Sequence, residues 1–294
     1  MYHDGLKLLH TQFQQGVFSK TEFDKIQLQI FCMLANENMT KGEYSTAENL
    51  FKHCIRGFIM DLRFPVEHLA VIEASLKLAI IYASTEKFEE AETGYTFCIS
   101  TLQSSYLSSI ADKTEFNIED KNVLALYGMC LDAYTRFLIE RKRYKESLLF
   151  ARKAAEVSEK VYDHNSASKL ATMNLLGTSL TGCGHTEEAE NVFQKCCECA
   201  KLAMESFEKQ GETDESSEME KSITANLFCA CKCNYASTML QSETLGNSKS
   251  RSAEAMLALK GARTLAERYK DDACGLEIKK CLELWQSHMK TQNK

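Results

Sequence analysis

Residues 75–98 read SLKLAIIYASTEKFEEAETGYTFC. Apolar residues recur at the spacing of one helix face, a short polar stretch interrupts them, and a second helical run begins at Phe88. That second run carries a small residue, Ala91, then Tyr95 four later and Cys98 three after that. Three more segments repeat the layout: FCMLANENMTKGEYSTAENLFKHC at 31–54, LDAYTRFLIERKRYKESLLFARKA at 131–154 and MNLLGTSLTGCGHTEEAENVFQKC at 173–196. The aligned small positions are Ala47, Ala91, Ser147 and Ala189. Phe51, Tyr95, Ala151 and Phe193 follow them, and then Cys54, Cys98, Ala154 and Cys196.

A small residue lets the first helix approach the second, and an aromatic fills the gap against the next pair; this is the tetratricopeptide helix-turn-helix repeat. Gly42 and Gly184 occupy the turn, where a left-handed helix ending suits glycine. The expected fold is therefore all-α, a right-handed superhelical solenoid of about 11–12 helices. We expect a single solenoid over 1–294, with repeats at 20–60, 66–110, 118–161 and 164–207. An orphan helix at 2–14 precedes them; a degenerate pair at 222–269 and a capping helix at 272–290 follow. The small positions stand 44, 56 and 42 residues apart, which implies extended helices and longer connections. The acidic stretch 208–221 reads as a solvated connection or frayed helix ends, and 241–250 as a loop.

Composition supports long helices. Pro65 is the only proline, and 13 glycines are few for a sandwich or a nucleotide-binding α/β fold of 294 residues. The net charge of -6, with lysines and arginines dispersed, excludes a nucleic-acid stripe. Thirteen scattered cysteines argue for reduced thiols rather than a disulfide framework. No run reaches the roughly 20 apolar residues of a membrane span, and residues 1–5 show no signal pattern.

The clusters Cys196, Cys197, Cys199 and Cys229, Cys231, Cys233 have the chemistry of a zinc or copper site. The repeat register instead makes cysteine a small apolar filler, and residues two apart on a helix diverge by about 200°. None of the seven histidines (His3, His10, His53, His68, His164, His185, His288) has a metalloprotease spacing. Neither a phosphate loop nor a nucleophile elbow is present. No catalytic residue, cofactor or metal is therefore expected, and the protein is read as a non-enzyme. Tyr44, Phe88 and Tyr144 recur three before the small position and are read as core.

Partner contacts are expected on the concave side, from the first helix of each repeat. The candidates are Gln29 and Asn36; Glu73, Leu76 and Ile80; Asp132 and Arg136; Asn174 and Thr178. With Arg136 as its only basic residue, this groove does not suit a carboxylate-terminated chaperone tail.

AVIEASLKLAIIYASTEKFEEAETGYTFCISTLQ at 70–103 and GMCLDAYTRFLI at 128–139 resemble the family of mitochondrial tetratricopeptide repeat protein nineteen. The weaker LANENMTKGEYSTAENLFK and the opening HDGLKLL are similar to it in the same order. The resemblance implies a mitochondrial inner-membrane protein that assists assembly and upkeep of respiratory complex III and helps clear fragments of its Rieske subunit. Complex III subunits are then the expected partners, with membrane contact only through a partner or an anchor missing from this chain. Family members carry a targeting sequence and an anchor, so a trimmed domain or a divergent member is expected here. Repeats of about 42 residues also resemble those of kinesin light chains, so a cargo or signalling adaptor is the alternative, followed by a thiol-based metal binder.

Overall fold

The computed structural model describes residues 2–110, 113, 115–163, 166–210, 215–242 and 248–269, with Ile278, Lys279, Leu282, Glu283 and Gln286. Among the described residues every regular element is helical. In chain order these are α1 (Tyr2–Gln14), α2 (Lys20–Thr40), α3 (Tyr44–Met60), α4 (Leu69–Ser84) and α5 (Phe88–Leu102). A π-helical turn (Gln103–Leu107) and a short α6 (Ser108–Ile110) continue α5. Then come α7 (Ile118–Glu140), α8 (Tyr144–Val161), α9 (Ala167–Gly182), α10 (Thr186–Gln210), α11 (Glu215–Ser242) and α12 (Ser248–Tyr269). The chain forms two compact units, 1–134 and 135–294, and the division falls inside α7. In the first unit α1 to α5 each pack on the next helix; in the second, α8 to α12 do so, and α11 also packs on α9.

The hairpins follow from their small residues. Ala47, Ala91, Ser147 and Ala189 are fully buried, as are Phe51, Tyr95, Ala151 and Phe193 one turn on. Where the next position is cysteine, its S–H donates to a first-helix carbonyl: Cys54 to Leu28, Cys98 to Ile72 and Cys196 to Leu170, at 3.8, 3.5 and 3.5 Å. The partner lies 26 residues upstream each time. At Ser147 the hydroxyl donates to Ser179 of α9 at 3.0 Å, so a polar small residue is satisfied there. Tyr44, Phe88 and Tyr144, at the start of the second helix, are half-buried; Tyr44 packs against the core of α2, α3 and α4, and the Tyr144 ring lies against Gly182.

The turns are alike in backbone but not in sequence. Gly42, Glu86, Lys142 and Gly184 have φ of 77°, 61°, 59° and 82°. Each N–H bonds three residues back, and the following N–H bonds five back, for example Lys142 to Ile139 and Arg143 to Leu138, both at 2.8 Å. This is the paired pattern that satisfies the last helical carbonyls. A Cβ at Gly42 or Gly184 would meet nothing within 4 Å, so those glycines are needed for conformation alone.

Helix starts are capped locally. Ser19 and Glu22 exchange bonds at α2, the Ser19 N–H donating to the carboxylate at 2.9 Å and the Glu22 N–H to the hydroxyl at 3.3 Å. At α4 the Ala70 N–H donates to Nδ1 of His68 at 3.2 Å, and the ring stacks on Phe64 at 3.9 Å. Tyr106, in the π-turn, donates its hydroxyl to the Glu67 carbonyl at 2.9 Å and so ties down the segment before α4.

The acidic stretch carries two helix ends. α10 runs to Gln210 and α11 begins at Glu215, so 208–221 is helical on both sides of 211–214, as its Glu, Lys, Gln and Met favour. Likewise 241–242 belong to α11 and 248–250 to α12. Residues 211–214 and 243–247, His164, His288 and most of the expected helix 272–290 lie outside the described residues. Ile278 and Leu282 pack against the core between α11 and α12.

The turns and the α4 cap can both be probed through stability. Lys142→Gly should stabilise by about 0.5–1 kcal/mol, relief of the left-handed strain exceeding the entropy glycine adds to the unfolded chain, while Gly184→Ala should cost about 1 kcal/mol. Denaturant midpoints read both signs. Burial holds the His68 imidazole below its ordinary value, and the neutral ring is the form that accepts the Ala70 amide. The stability it contributes is therefore present above the unfolded pKa of about 6.5 and lost as pH falls through the folded value. His68→Asn, which caps without titrating, should flatten the decline in midpoint between pH 7.5 and pH 5.

Candidate functional site

α2 and α4 are the first helices of two successive hairpins, and each presents an i, i+3, i+4, i+7 stripe to the same space. From α2 these are Gln29, Cys32, Met33 and Asn36; from α4, Ala70, Glu73, Ala74 and Lys77. The two alanines leave room, and Phe51 and Phe58 of α3 close the floor around a cavity of about 390 Å³. Its base is apolar, while the carboxamides of Gln29 and Asn36 stand on one wall and Glu73 and Lys77 on the other. Gln29 and Glu73 are exposed, and Asn36 and Lys77 half-buried. The Cys54 thiol beside Cys32 lowers the Cys32 thiol below its ordinary value, against burial and the Glu73 charge.

Three expected contact residues, Gln29, Asn36 and Glu73, thus meet in one cavity. Leu76 does not join them: it is 1% exposed, its side chain turned into the core, and it is removed from the contact surface. Ile80 is half-buried, further along α4. On α7, Arg136 is exposed, but Asp132 is half-buried with Oδ1 out of reach of solvent, so the pair is not the exposed charge pair expected from the sequence.

Asn174 and Thr178 of α9 belong to the second unit and are engaged by α11. Asn234 Nδ2 donates to Asn174 Oδ1 at 2.9 Å and to Thr178 Oγ1 at 3.5 Å, and the Thr181 and Thr238 hydroxyls bond at 2.8 Å. Thr178, Thr181, Asn234 and Thr238 border a second cavity of about 340 Å³ with Tyr144, Gly182 and Phe193. Asn234 and Thr238 were missed from the sequence, although the signal is there: NLLGT at 174–178 and NYAST at 234–238 share Asn-x-x-x-Thr. In both, the threonine hydroxyl donates to the asparagine carbonyl of its own helix, at 2.8 and 2.9 Å.

The cysteine clusters point several ways. Cys229 and Cys233, one turn apart, pack with α12, the former donating to the Ala262 carbonyl at 3.5 Å. Cys231 turns to α10 and donates to the Phe193 carbonyl at 3.5 Å. Among the described residues no three His, Cys, Asp or Glu side chains converge as a metal site, and no helix is long and apolar enough to cross a membrane.

A tetratricopeptide repeat family model matches residues 170–205, which cover most of α9 and of α10. Among curated proteins, mitochondrial tetratricopeptide repeat protein 19 of Homo sapiens is 31% identical over 201 residues, 68% of this chain and 50% of its own length. Its Rattus norvegicus counterpart is 28% identical over 200 residues, 68% and 52% of the two chains. The chain thus spans about half the length of the curated relatives it matches. Among solved structures, BtubC (BKLC) of P. vanneervenii superposes with a TM-score of 0.58 at 10% identity, over 94% of this chain and 89% of that one. The nuclear import adaptor Nro1 of S. pombe gives 0.51 at 13%, over 98% and 95%. At such identities these two likenesses concern the fold alone.

The amide contact between α9 and α11 is measurable. A double-mutant cycle of Asn174→Ala with Asn234→Ala should give a coupling of about 0.5–1.5 kcal/mol in unfolding free energy. Additive single effects would place the two side chains apart.

Proposed function

We propose that the chain, a homologue of mitochondrial tetratricopeptide repeat protein 19, is a non-enzymatic tetratricopeptide-repeat scaffold that binds protein segments. The α2–α4 cavity is the observation that carries the reading: a hollow of about 390 Å³ with an apolar floor and the carboxamides of Gln29 and Asn36 on its wall. The partners are subunits of respiratory complex III, and the work is its assembly and upkeep, including clearance of Rieske subunit fragments. Support for this finer part is the family resemblance and the mitochondrial naming of the homologues. The protein acts at the mitochondrial inner membrane, reached through a partner or through an anchor outside this chain. Arg136, Asn174 and Thr178 contribute secondary contacts, Thr178 through the second cavity and Asn174 through its bond to Asn234 beside it.

The test is capture from mitochondrial extract by the wild-type chain and by a Gln29→Ala, Asn36→Ala variant. Wild type should retain complex III subunits. The variant should lose about tenfold in affinity, the worth of two backbone hydrogen bonds, with its unfolding midpoint nearly unchanged. Equal capture by the variant would remove the cavity from the account. Capture of other cargo without complex III subunits would favour the general adaptor.

A further inference from the structure

Three thiols meet between α10 and α11. Cys196 is committed to the repeat contact with the Leu170 carbonyl. Cys197, the next residue, lies 3.6 Å from Cys231 of α11, sulfur to sulfur, and donates its S–H to it. Cys231 in turn donates to the Phe193 carbonyl at 3.5 Å. Cys231 is fully buried, whereas Cys197 is half-buried and within reach of a small solute. Thiols also neighbour the repeat cysteines Cys54 and Cys98, at Cys32 and Cys130, where the repeat cysteine donates to a carbonyl; at Cys197 and Cys231 the two sulfurs themselves meet at 3.6 Å.

We propose that Cys197 and Cys231 are a reversible dithiol–disulfide pair, oxidised by a hydroperoxide, that staples α11 to α10. The Cys197 thiolate attacks a peroxide oxygen, the O–O bond breaks, and the departing oxygen leaves as water or alcohol with the thiol proton. The sulfur, now a sulfenic acid, has lost two electrons and the peroxide has gained them. The Cys231 sulfur then attacks the Cys197 sulfur, the S–O bond breaks, and hydroxide leaves with the Cys231 proton as a second water. Two thiols and one peroxide thus become one disulfide. The sulfurs must close from 3.6 Å to about 2.05 Å, a movement within reach of side-chain rotation and a slight approach of the helices.

The roles differ by surroundings. Once Cys197 ionises, the Cys231 S–H can turn from Phe193 to donate to it; this contact, with Lys232 acting in the same direction, holds the Cys197 thiol below its ordinary value against burial. Contacts with Cys196 and Cys197, together with burial, push the Cys231 thiol up. Cys197 is therefore the attacking thiol and Cys231 the resolving one. Because α11 also carries Asn234 and Thr238, the bond would fix that helix in register beside α9 and hold the second cavity in one shape. The inference stands apart from the identity of the protein's partners.

The experiment uses the full chain, reduced, freed of reductant and exposed to hydrogen peroxide. Non-reducing tryptic mapping should show peptide 196–201 joined to peptide 222–232 within one chain, reversed by dithiothreitol. Cys197→Ser, at a half-buried position, should abolish the link while leaving the fold intact by circular dichroism. Cys231→Ala should instead accumulate Cys197 sulfenic acid, trapped by dimedone several-fold above wild type. Persistence of the link in Cys197→Ser overturns the assignment, as does its absence from wild type after the other accessible thiols have reacted. If Cys231→Ala does not fold, wild type and Cys197→Ser alone still decide.

Discussion

At Ala47, Ala91, Ser147 and Ala189 the second helix of each hairpin offers the first nothing larger than a hydroxymethyl group. Interhelix distance is set there, because a larger side chain at full burial would overpack a space already filled. Once that distance is fixed, the residue four later must be the filler, and seven later there is room for a thiol but little more. The thiol then reaches a carbonyl that the first helix has already bonded, a weak second contact that fixes rotation as much as distance. Everything on the outer side of the first helix inherits its direction from this seat.

That inheritance explains why equivalent positions end in different surroundings. In the first unit, alanines at 70 and 74 face the α2 stripe and leave a lined hollow. In the second, the corresponding outer face of α9 is met by α11, whose asparagine and threonine satisfy those of α9. Shape alone would let α11 slide by a turn; matched amides and hydroxyls penalise the slide because they would be left unpaired at half-burial. Apolar burial supplies attraction without direction, and the polar pairs supply the register.

The hairpins were legible in the sequence because their rule is local: a small residue, an aromatic four on, a cysteine seven on, each buried where the pattern puts it. Two turn glycines were legible for the same reason. Glu86 and Lys142 were not, since neither residue type announces a left-handed backbone; the helix ending imposes it. Of the expected contact residues, Gln29, Asn36 and Glu73 line one cavity in the phase the repeat gives them, whereas Leu76 is buried. Its neighbours Ala74 and Lys77 line the hollow, while Leu76, about 100° round the helix from Lys77, is turned into the core. The engagement of Asn174 by Asn234 depends on a helix 60 residues away, and only the repeated Asn-x-x-x-Thr hinted at it.

The constant separation of 26 residues between seat carbonyl and thiol has a bearing on how such a chain changes length. Between hairpins the spacing varies from 42 to 56 residues, and in the longest interval a π-turn and a short α6 take up the surplus after α5. Insertions are thus absorbed beyond the second helix, where an added residue only widens one turn and swings the next hairpin. Inside the hairpin the same residue would rotate every seat contact by about 100°. In evolutionary terms each hairpin behaves as a cassette of fixed length joined by adjustable spacers. New reach toward a partner can be gained there without touching the part that folds.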